Sequence, residues 1–139
     1  MSTKRQLILA SAKTLLESAS GMQYVEITKA NLPDFDGKPY PCAYVAIPTE
    51  SRNTDEYALM GKENWKGELL VEVWVDGKSD IEVVLGAVKA VLSVNNRFGG
   101  NACFSAITKV EQFIIDPLKE RQGMFLHYDI WYFNTPGTP

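Results

Sequence analysis

This sequence contains little histidine and cysteine and has no excess of positive charge, and each of these shortages argues against a class of function. The single histidine, His127, leaves too few nitrogen ligands for a multi-histidine metal site. The two cysteines, Cys42 and Cys103, have no second Cys or His at metal-ligand spacing. We therefore predict two reduced thiols in an apolar core, with neither a metal nor a cofactor.

Basic residues are also too few and too scattered for a surface that grips nucleic acid. The chain has 14 Lys and Arg against 17 Asp and Glu, which gives a formal net charge of -3. This balance lacks the electrostatic footprint of direct DNA or RNA binding. We expect the partners to be protein chains.

Long apolar runs are missing as well. An apolar stretch begins at Leu7, but Ser11, Lys13 and Glu17 interrupt it, and a signal-peptide core would not tolerate them. No other run approaches the ~20 apolar residues of a membrane span. The sequence therefore predicts a cytoplasmic chain without a membrane segment.

The chain does have the size and composition of one folded domain. It contains 139 residues, of which 45% are hydrophobic and 22% charged. A domain near this length buries about 68–70% of the surface that its unfolded chain exposes. Because no linker or internal repeat divides the sequence, we expect a single domain over residues 1–139, with residues 135–139 as a flexible tail.

Two helices are predicted from capping signals and helical periodicity. Thr3 and Gln6 fit a capping box at the start of the chain, and Ser79 and Glu82 fit a second one ahead of residues 80–94. In such a box the hydroxyl and the Glu or Gln side chain satisfy backbone N–H groups that the first helical turn leaves open.

Five strands follow from alternating patterns, over residues 22–28, 42–47, 65–76, 103–115 and 122–133. The second is expected to end at Pro48. The order helix, strand, strand, strand, helix, strand, strand predicts an α+β domain, with a largely antiparallel mixed sheet and two helices packed on one face.

The second helix carries more apolar surface than a lone domain needs. Its expected core stripe consists of Ile81, Val84, Leu85, Val88, Val91 and Leu92. A second stripe, roughly opposite, consists of Val83, Ala87, Ala90 and Val94. Either the first helix covers this second stripe or a neighbouring subunit does.

The last strand is aromatic on both faces. Met124, Leu126, Tyr128, Ile130 and Tyr132 share one face, and Phe125, His127, Asp129, Trp131 and Phe133 share the other. If the first set meets the helices, the second set lines a partly exposed face suited to a protein interface. The candidates for a subunit interface on that face are Leu70, Trp74, Trp131 and Phe133, together with the second stripe of the helix. The alternative is a strand buried on both sides.

Residues 49–64 form the longest polar stretch, and they show no clear period. Loops of this length are uncommon in compact domains and are usually functional or mobile. We expect a loop that becomes ordered on a partner, with Glu50, Arg52, Asp55, Glu56 and Glu63 as the contacting charges. A solvated loop that binds nothing is the alternative.

One cluster of side chains could support catalysis. His127 and Asp129 share a strand face, and Glu72 could lie across from them as part of an acid/base pair. A lone histidine in a strand is far more often structural. The sequence also contains no Walker loop, zinc spacing or nucleophile elbow, so we predict no catalytic residue and no enzyme.

Five features together carry a resemblance to a known family. They are the short N-terminal helix, the strand PCAYVAI at residues 41–47, the polar segment at 49–64, the strand at 68–75 that turns into a capped helix, and the final aromatic strand ending YDIWY. In this order they resemble the tail terminator, or tail completion, proteins of long-tailed bacteriophages.

The resemblance implies a structural virion protein that is assembled in the bacterial host cytoplasm and located in the tail. It would cap the tail tube as a homohexameric ring, end tail polymerisation and form the head-tail joining surface. The implied partners are copies of itself, the tail tube protein and a head-tail connector or neck protein. DNA would pass through the ring without specific binding, and no membrane is involved.

Two alternatives stay open at this point. Head-tail connector proteins and tail tube proteins share much of this character. From another class, a small-molecule-binding α+β domain would have a closed pocket that converges on His127, whereas an assembly protein would have an open apolar surface.

Overall fold

The computed structural model describes residues 3–27, 39, 41–52, 63–76, 81–102, 104–112 and 121–134. Its elements, in chain order, are α1 (Lys4–Glu17), β1 (Tyr24–Ile27), β2 (Cys42–Arg52), β3 (Glu63–Asp76), α2 (Ile81–Val94), β4 (Phe104–Gln112) and β5 (Arg121–Asn134). The predicted order of helices and strands is confirmed. Within these ranges, neither helix is long and apolar enough to cross a membrane.

The five strands form one sheet in the order β1-β2-β3-β5-β4. β1 runs parallel to β2, and the other three pairs are antiparallel. This is the largely antiparallel mixed sheet of the predicted α+β domain. Among the described strands, β1 and β4 are the two edges.

The start of α1 is fixed by the predicted capping box. The Thr3 hydroxyl accepts a hydrogen bond from the Gln6 backbone N–H at 3.1 Å, and the Gln6 side chain accepts one from the Thr3 backbone N–H at 2.9 Å. Arg5 then donates from Nη2 to the Ile47 carbonyl oxygen at 2.6 Å, which ties the helix to β2. The apolar stripe of α1, which includes Ile8, Ala12 and Leu16, is fully buried.

The core lies between the two helices and one face of the sheet. The third-strand residues predicted for this face, Leu69, Val71, Val73 and Val75, are all 0% exposed. Leu126, Ile130 and Tyr132 of β5 are also 0% exposed and Tyr128 is 6% exposed, so the first set of β5 does meet the helices. From α2 the core receives Ile81, Val84, Leu85, Val88 and Leu92. Cys42 is buried, as predicted.

The prediction that the second strand ends at Pro48 is wrong. β2 continues to Arg52, and its register with β3 shifts between Ala46 and Thr49. Ile47 and Pro48 thus stand together opposite a single residue of β3, which is the arrangement of a β-bulge. Proline is tolerated at a bulge because the ladder there does not need its missing N–H.

The predicted loop over residues 49–64 is consequently wrong at both ends. Residues 49–52 pair with residues 65–68 of β3, and Glu63 and Asn64 pair with Asn134 and Phe133 of β5. Ladder hydrogen bonds join backbone groups, so pairing with neighbouring strands extends a strand even where its side chains do not alternate.

Some predictions fall outside the described residues. They concern the partner-loop residues Asp55 and Glu56, the cap residue Ser79, Cys103, and the tail at 135–139.

Candidate interaction surfaces

The sheet face turned away from the helices is the first candidate surface, and we call it the open face. Its described charged and aromatic side chains, with Leu70, are Tyr24, Glu26, Tyr44, Lys66, Glu68, Leu70, Glu72, Trp74, Asp76, Lys109, Glu111, Phe125, His127, Asp129, Trp131 and Phe133. Apart from Tyr44, which is buried, they are half-buried or exposed. The predicted, partly exposed aromatic face is therefore present, and β5 is not buried on both sides.

One end of this face, which we call the acidic end, combines carboxylates with aromatic rings. Glu26, Tyr44 and Glu72 stand side by side on three adjacent strands. The Tyr24 hydroxyl donates to Glu26 Oε2 at 3.0 Å, and the Trp74 indole N–H donates to Glu72 Oε1 at 2.7 Å. Tyrosine and tryptophan are neutral donors, so these hydrogen bonds orient the two carboxylates without cancelling their charge.

Glu72 is the most buried of these carboxylates. Burial raises the pKa of its carboxyl above the ordinary value, and the hydrogen bond from Trp74 offsets part of that rise. The ionised form therefore lacks some of the solvation that it would have in water. A positively charged group placed beside it would restore that stabilisation.

The opposite end of the open face, which we call the paired end, has its charges matched within the chain. Lys66 Nζ lies 3.4 Å from Asp129 Oδ2 and 5.5 Å from the centroid of the Trp131 ring. The lysine thus contacts both the carboxylate and the face of the aromatic ring. A basic partner would gain less here than at the acidic end.

His127 lies between two carboxylates in the middle of the open face. Its Nδ1 is hydrogen-bonded to Glu68 Oε1 at 2.7 Å. Its Nε2 lies 2.7 Å from Glu111 Oε1, within ion-pair distance, but this contact does not have the geometry of a hydrogen bond. The side chain therefore links β3, β5 and β4.

Glu111 also contacts Lys109, whose Nζ is 3.2 Å from its Oε1. The hydrogen bond from Lys109 is the largest cause that lowers the pKa of the Glu111 carboxyl. This keeps Glu111 ionised beside the imidazole.

His127 and Asp129 do share a strand face, but the acid/base cluster considered for them with Glu72 is not formed. Asp129 pairs with Lys66, and Glu72 pairs with Trp74. Glu68 and Glu72 are the two diagonal neighbours of His127 on β3, and Glu111 is a diagonal neighbour on β4; the histidine contacts Glu68 and Glu111. The described residues also contain no group of three or more His, Cys, Asp or Glu placed to hold a metal ion.

The outer surface of α2 is the second candidate surface. Val83 is 68% exposed and Val94 87% exposed, and Ala90 is exposed beside them. Ala87 is half-buried against the core. Helix α1 therefore does not cover Val83, Ala90 or Val94.

A groove of about 700 Å³ runs beside this stripe, between α2 and the edge strand β4. Gly86, Ala90 and Ser93 line its helical wall, and Ala106 and Ile107 line the opposite wall. A Cβ atom added at Gly86 would meet nothing within 4 Å. The sequence reasoning missed this groove, although small residues at positions 86, 90 and 93 repeat at helical spacing and were a signal for it.

Further apolar surface adjoins the groove on β4. Ile107 is 43% exposed and Val110 41% exposed, because α2 does not reach over this edge of the sheet. We call the second stripe, the groove and these two residues the apolar side. It lies on the helical half of the molecule, away from the open face.

Glu50, predicted to contact a partner from a loop, lies in β2 and has an intramolecular partner. The Tyr132 hydroxyl donates a hydrogen bond to Glu50 Oε2. Burial, and then this hydrogen bond, raise the pKa of the Tyr132 phenol, while the positive charge of Arg5 opposes the rise. Arg52 and Glu63 are also strand residues, at the ends of β2 and β3.

Comparison with known proteins shows the fold. No protein-family model and no curated protein matches the chain. Among solved structures, it is similar to a chain of the virion of a native gene transfer agent particle, with a TM-score of 0.49 and 9% identity over 91% of this chain and 94% of that one.

The chain is also similar to one in an extracellular contractile injection system, described as the PVC sheath/tube terminator in its extended state. That match has a TM-score of 0.51 and 10% identity, and it covers 99% of this chain but 60% of the other. The present chain thus spans less than two thirds of that relative's length. At such identities the likeness concerns the backbone architecture.

Proposed function

We propose that this chain is a structural assembly protein of a phage-like tail. Six copies of it form a ring that caps the tail tube and ends its polymerisation. The ring also supplies the surface to which the head is joined. The observation that carries this proposal is the apolar side, which the chain's own helices leave uncovered.

The apolar side has the properties of one half of a subunit contact. Val83 and Val94 are among the most exposed large apolar side chains described, and a soluble monomer gains nothing from presenting them together with an open groove. A contact between this side and a different patch on the next copy is heterologous, and it gives a closed ring when the rotation between copies is a simple fraction of a turn.

The edge strand β4 contributes a second reason for self-association. It forms one border of the sheet, and exposed edges are templates for pairing with another chain. In this proposal a neighbouring copy covers β4 together with Val83, Ala87, Ala90 and Val94. The backbone likeness to a chain from a sheath/tube terminator assembly supports the choice of a terminator. A connector or tail tube subunit is the alternative with the same ring.

The tail tube and neck proteins would meet other parts of the surface. In this proposal they contact the open-face residues Leu70, Trp74, Trp131 and Phe133, together with Asp55 and Glu56. The acidic balance of the chain suits a ring through which DNA slides without being held.

Light scattering coupled to size-exclusion chromatography tests the proposal. The wild-type protein is expected to have the mass of a hexamer, and Ala90→Arg the mass of a monomer, because a charged side chain would enter the groove. The matched control is Ala10→Arg, an exposed alanine on α1, which should keep the wild-type mass. Circular dichroism would establish that both variants fold.

Two results would contradict the proposal. One is a wild-type protein that stays monomeric over the whole accessible concentration range. The other is equal dissociation by Ala90→Arg and Ala10→Arg, which would show that the apolar side is not the seam.

A further inference from the structure

The two ends of the open face differ in how their charges are satisfied. At the paired end, Lys66 neutralises Asp129. At the acidic end, the partners seen for Glu26 and Glu72 are a phenol and an indole, and these carry no charge. Among the described side chains, no lysine or arginine is in ion-pair contact with either carboxylate.

We propose that the acidic end of the open face binds a basic segment of another protein. The partner supplies arginine or lysine side chains, which reach Glu26 and Glu72 and pack along Tyr24 and Trp74. The contact is separate from the apolar side, so it does not require that the chain forms a ring.

The arrangement of the two carboxylates suits such a partner. Glu26 and Glu72 lie on either side of Tyr44, two strand spacings or about 10 Å apart. Two basic side chains of one short segment can span that distance. Each carboxylate is already oriented by a hydrogen bond, so binding costs little additional side-chain order.

Arginine gains the most from this surface. A guanidinium group pairs with carboxylates in a planar geometry and also stacks on aromatic rings. Trp74 and Tyr24 are half-buried, so they present apolar area beside the charges. Glu72, whose solvation is reduced by burial, recovers the most on ion pairing.

Other occupants fit the acidic end less well. A nucleic acid would bring phosphates against carboxylates, which repel them. A second copy of this chain carries an acidic excess of its own, with 17 acidic and 14 basic residues.

Tryptophan indole signals in nuclear magnetic resonance spectra give a direct test. The chain has three tryptophans, and they occupy three different places. Trp74 marks the acidic end and Trp131 the paired end, while Trp65 packs against the core on the helical face. On titration with a hexa-arginine peptide, the Trp74 indole N–H signal is expected to shift, and the other two to shift little.

Variants assign the binding to the carboxylates. Glu72→Gln combined with Glu26→Gln should raise the dissociation constant for the peptide at least tenfold. Glutamine retains an acceptor for each neutral donor, so the fold should persist, and the dispersion of the backbone spectrum reports on this. Glu17→Gln, an exposed site on α1, is the matched control and should leave the affinity unchanged.

Three outcomes would overturn the inference. The first is an equal shift of all three indole signals, and the second is an unchanged dissociation constant in the double variant. The third is a Trp74 signal that shifts with protein concentration alone, because this would make a second copy of the chain the occupant. A monomeric protein that still binds the peptide at Trp74 would support the inference while contradicting the ring.

Discussion

The two faces of the same sheet differ in what their side chains accomplish. On β3, Leu69 is 0% exposed beneath the helices, while the next residue, Leu70, is half-buried on the open face. The helical face is almost wholly apolar and closes a core. The open face mixes half-buried rings with carboxylates, and no described helix covers it.

This difference indicates that the helical face stabilises the fold, whereas the open face is the better candidate for binding partners. Burial of the helical face by α1 and α2 accounts for why the chain folds. The open face is harder to explain by folding, since a carboxylate whose pKa is raised by burial, as at Glu72, opposes the folded state when ionised. Features that folding does not explain are the places where partners are expected.

The largest expected effect is the difference in unfolding free energy between Leu69→Ala and Leu70→Ala, which lie on opposite faces of β3. Leu69→Ala is expected to lower the free energy of unfolding by about 2–5 kcal/mol, because it opens a cavity in a closed core. Leu70→Ala should cost less than about 1.5 kcal/mol, since its side chain is only half-buried. Urea unfolding measures both, and equal losses would show that the open face is as tightly packed as the core.

High pH should destabilise the protein through its buried tyrosines, which include Tyr44 on the open face. Burial raises the pKa of Tyr128 to about 12 and also raises the pKa of Tyr132, against an ordinary value near 10. The folded state therefore holds these protons more tightly than the unfolded state. Their contribution to stability is complete below about pH 10 and is lost as the pH rises through the folded-state values.

Urea midpoints between pH 8 and pH 11, with ultraviolet titration of the tyrosines, would measure this loss. Tyr132→Phe should reduce the alkaline sensitivity, and it should cost about 1 kcal/mol at neutral pH because the hydrogen bond to Glu50 is removed. Midpoints that stay constant to pH 11 would contradict the expectation.

The helical face was also the part that the sequence could predict. Alternation in β3 and periodicity in α2 identified the buried residues, because burial repeats with the period of the backbone. The sequence did not reveal which carboxylates meet His127, since that depends on the register of β3, β5 and β4. Nor did it reveal that pairing carries β2 past Pro48, because a bulge is a property of two strands.

A smaller effect on stability is expected at the groove of the apolar side. Gly86→Ala should raise the free energy of unfolding by about 0.5–1 kcal/mol, because alanine is the better helix former and the added Cβ meets nothing within 4 Å. Gly67→Ala is the contrasting substitution and should not stabilise the protein. Its Cβ would lie only 3.4 Å from both Ile47 Cγ2 and Thr49 O. Thermal unfolding at concentrations where the protein is monomeric compares the two substitutions, and destabilisation by Gly86→Ala there would contradict the expectation.

The smallest effect concerns the acidic end of the open face. Because burial raises the pKa of Glu72, the folded state binds its proton more tightly than the unfolded state does. The group's contribution is most favourable below its unfolded pKa and becomes less favourable as the pH rises through the folded value. Glu72→Gln removes the charge but keeps an acceptor for Trp74, so it should stabilise the protein at pH 7 by less than about 1 kcal/mol.

The gain from Glu72→Gln should shrink toward pH 4, where the wild-type carboxyl takes up its proton. Glu17→Gln on α1 serves as the control, because its exposed side chain should leave stability nearly unchanged at both pH values. Urea unfolding at pH 4 and pH 7 compares each of the two variants with the wild type at both pH values. A variant that is less stable than wild type at pH 7 would show that Glu72 supports the fold. The case for a carboxylate that awaits a basic partner would then rest on Glu26 alone.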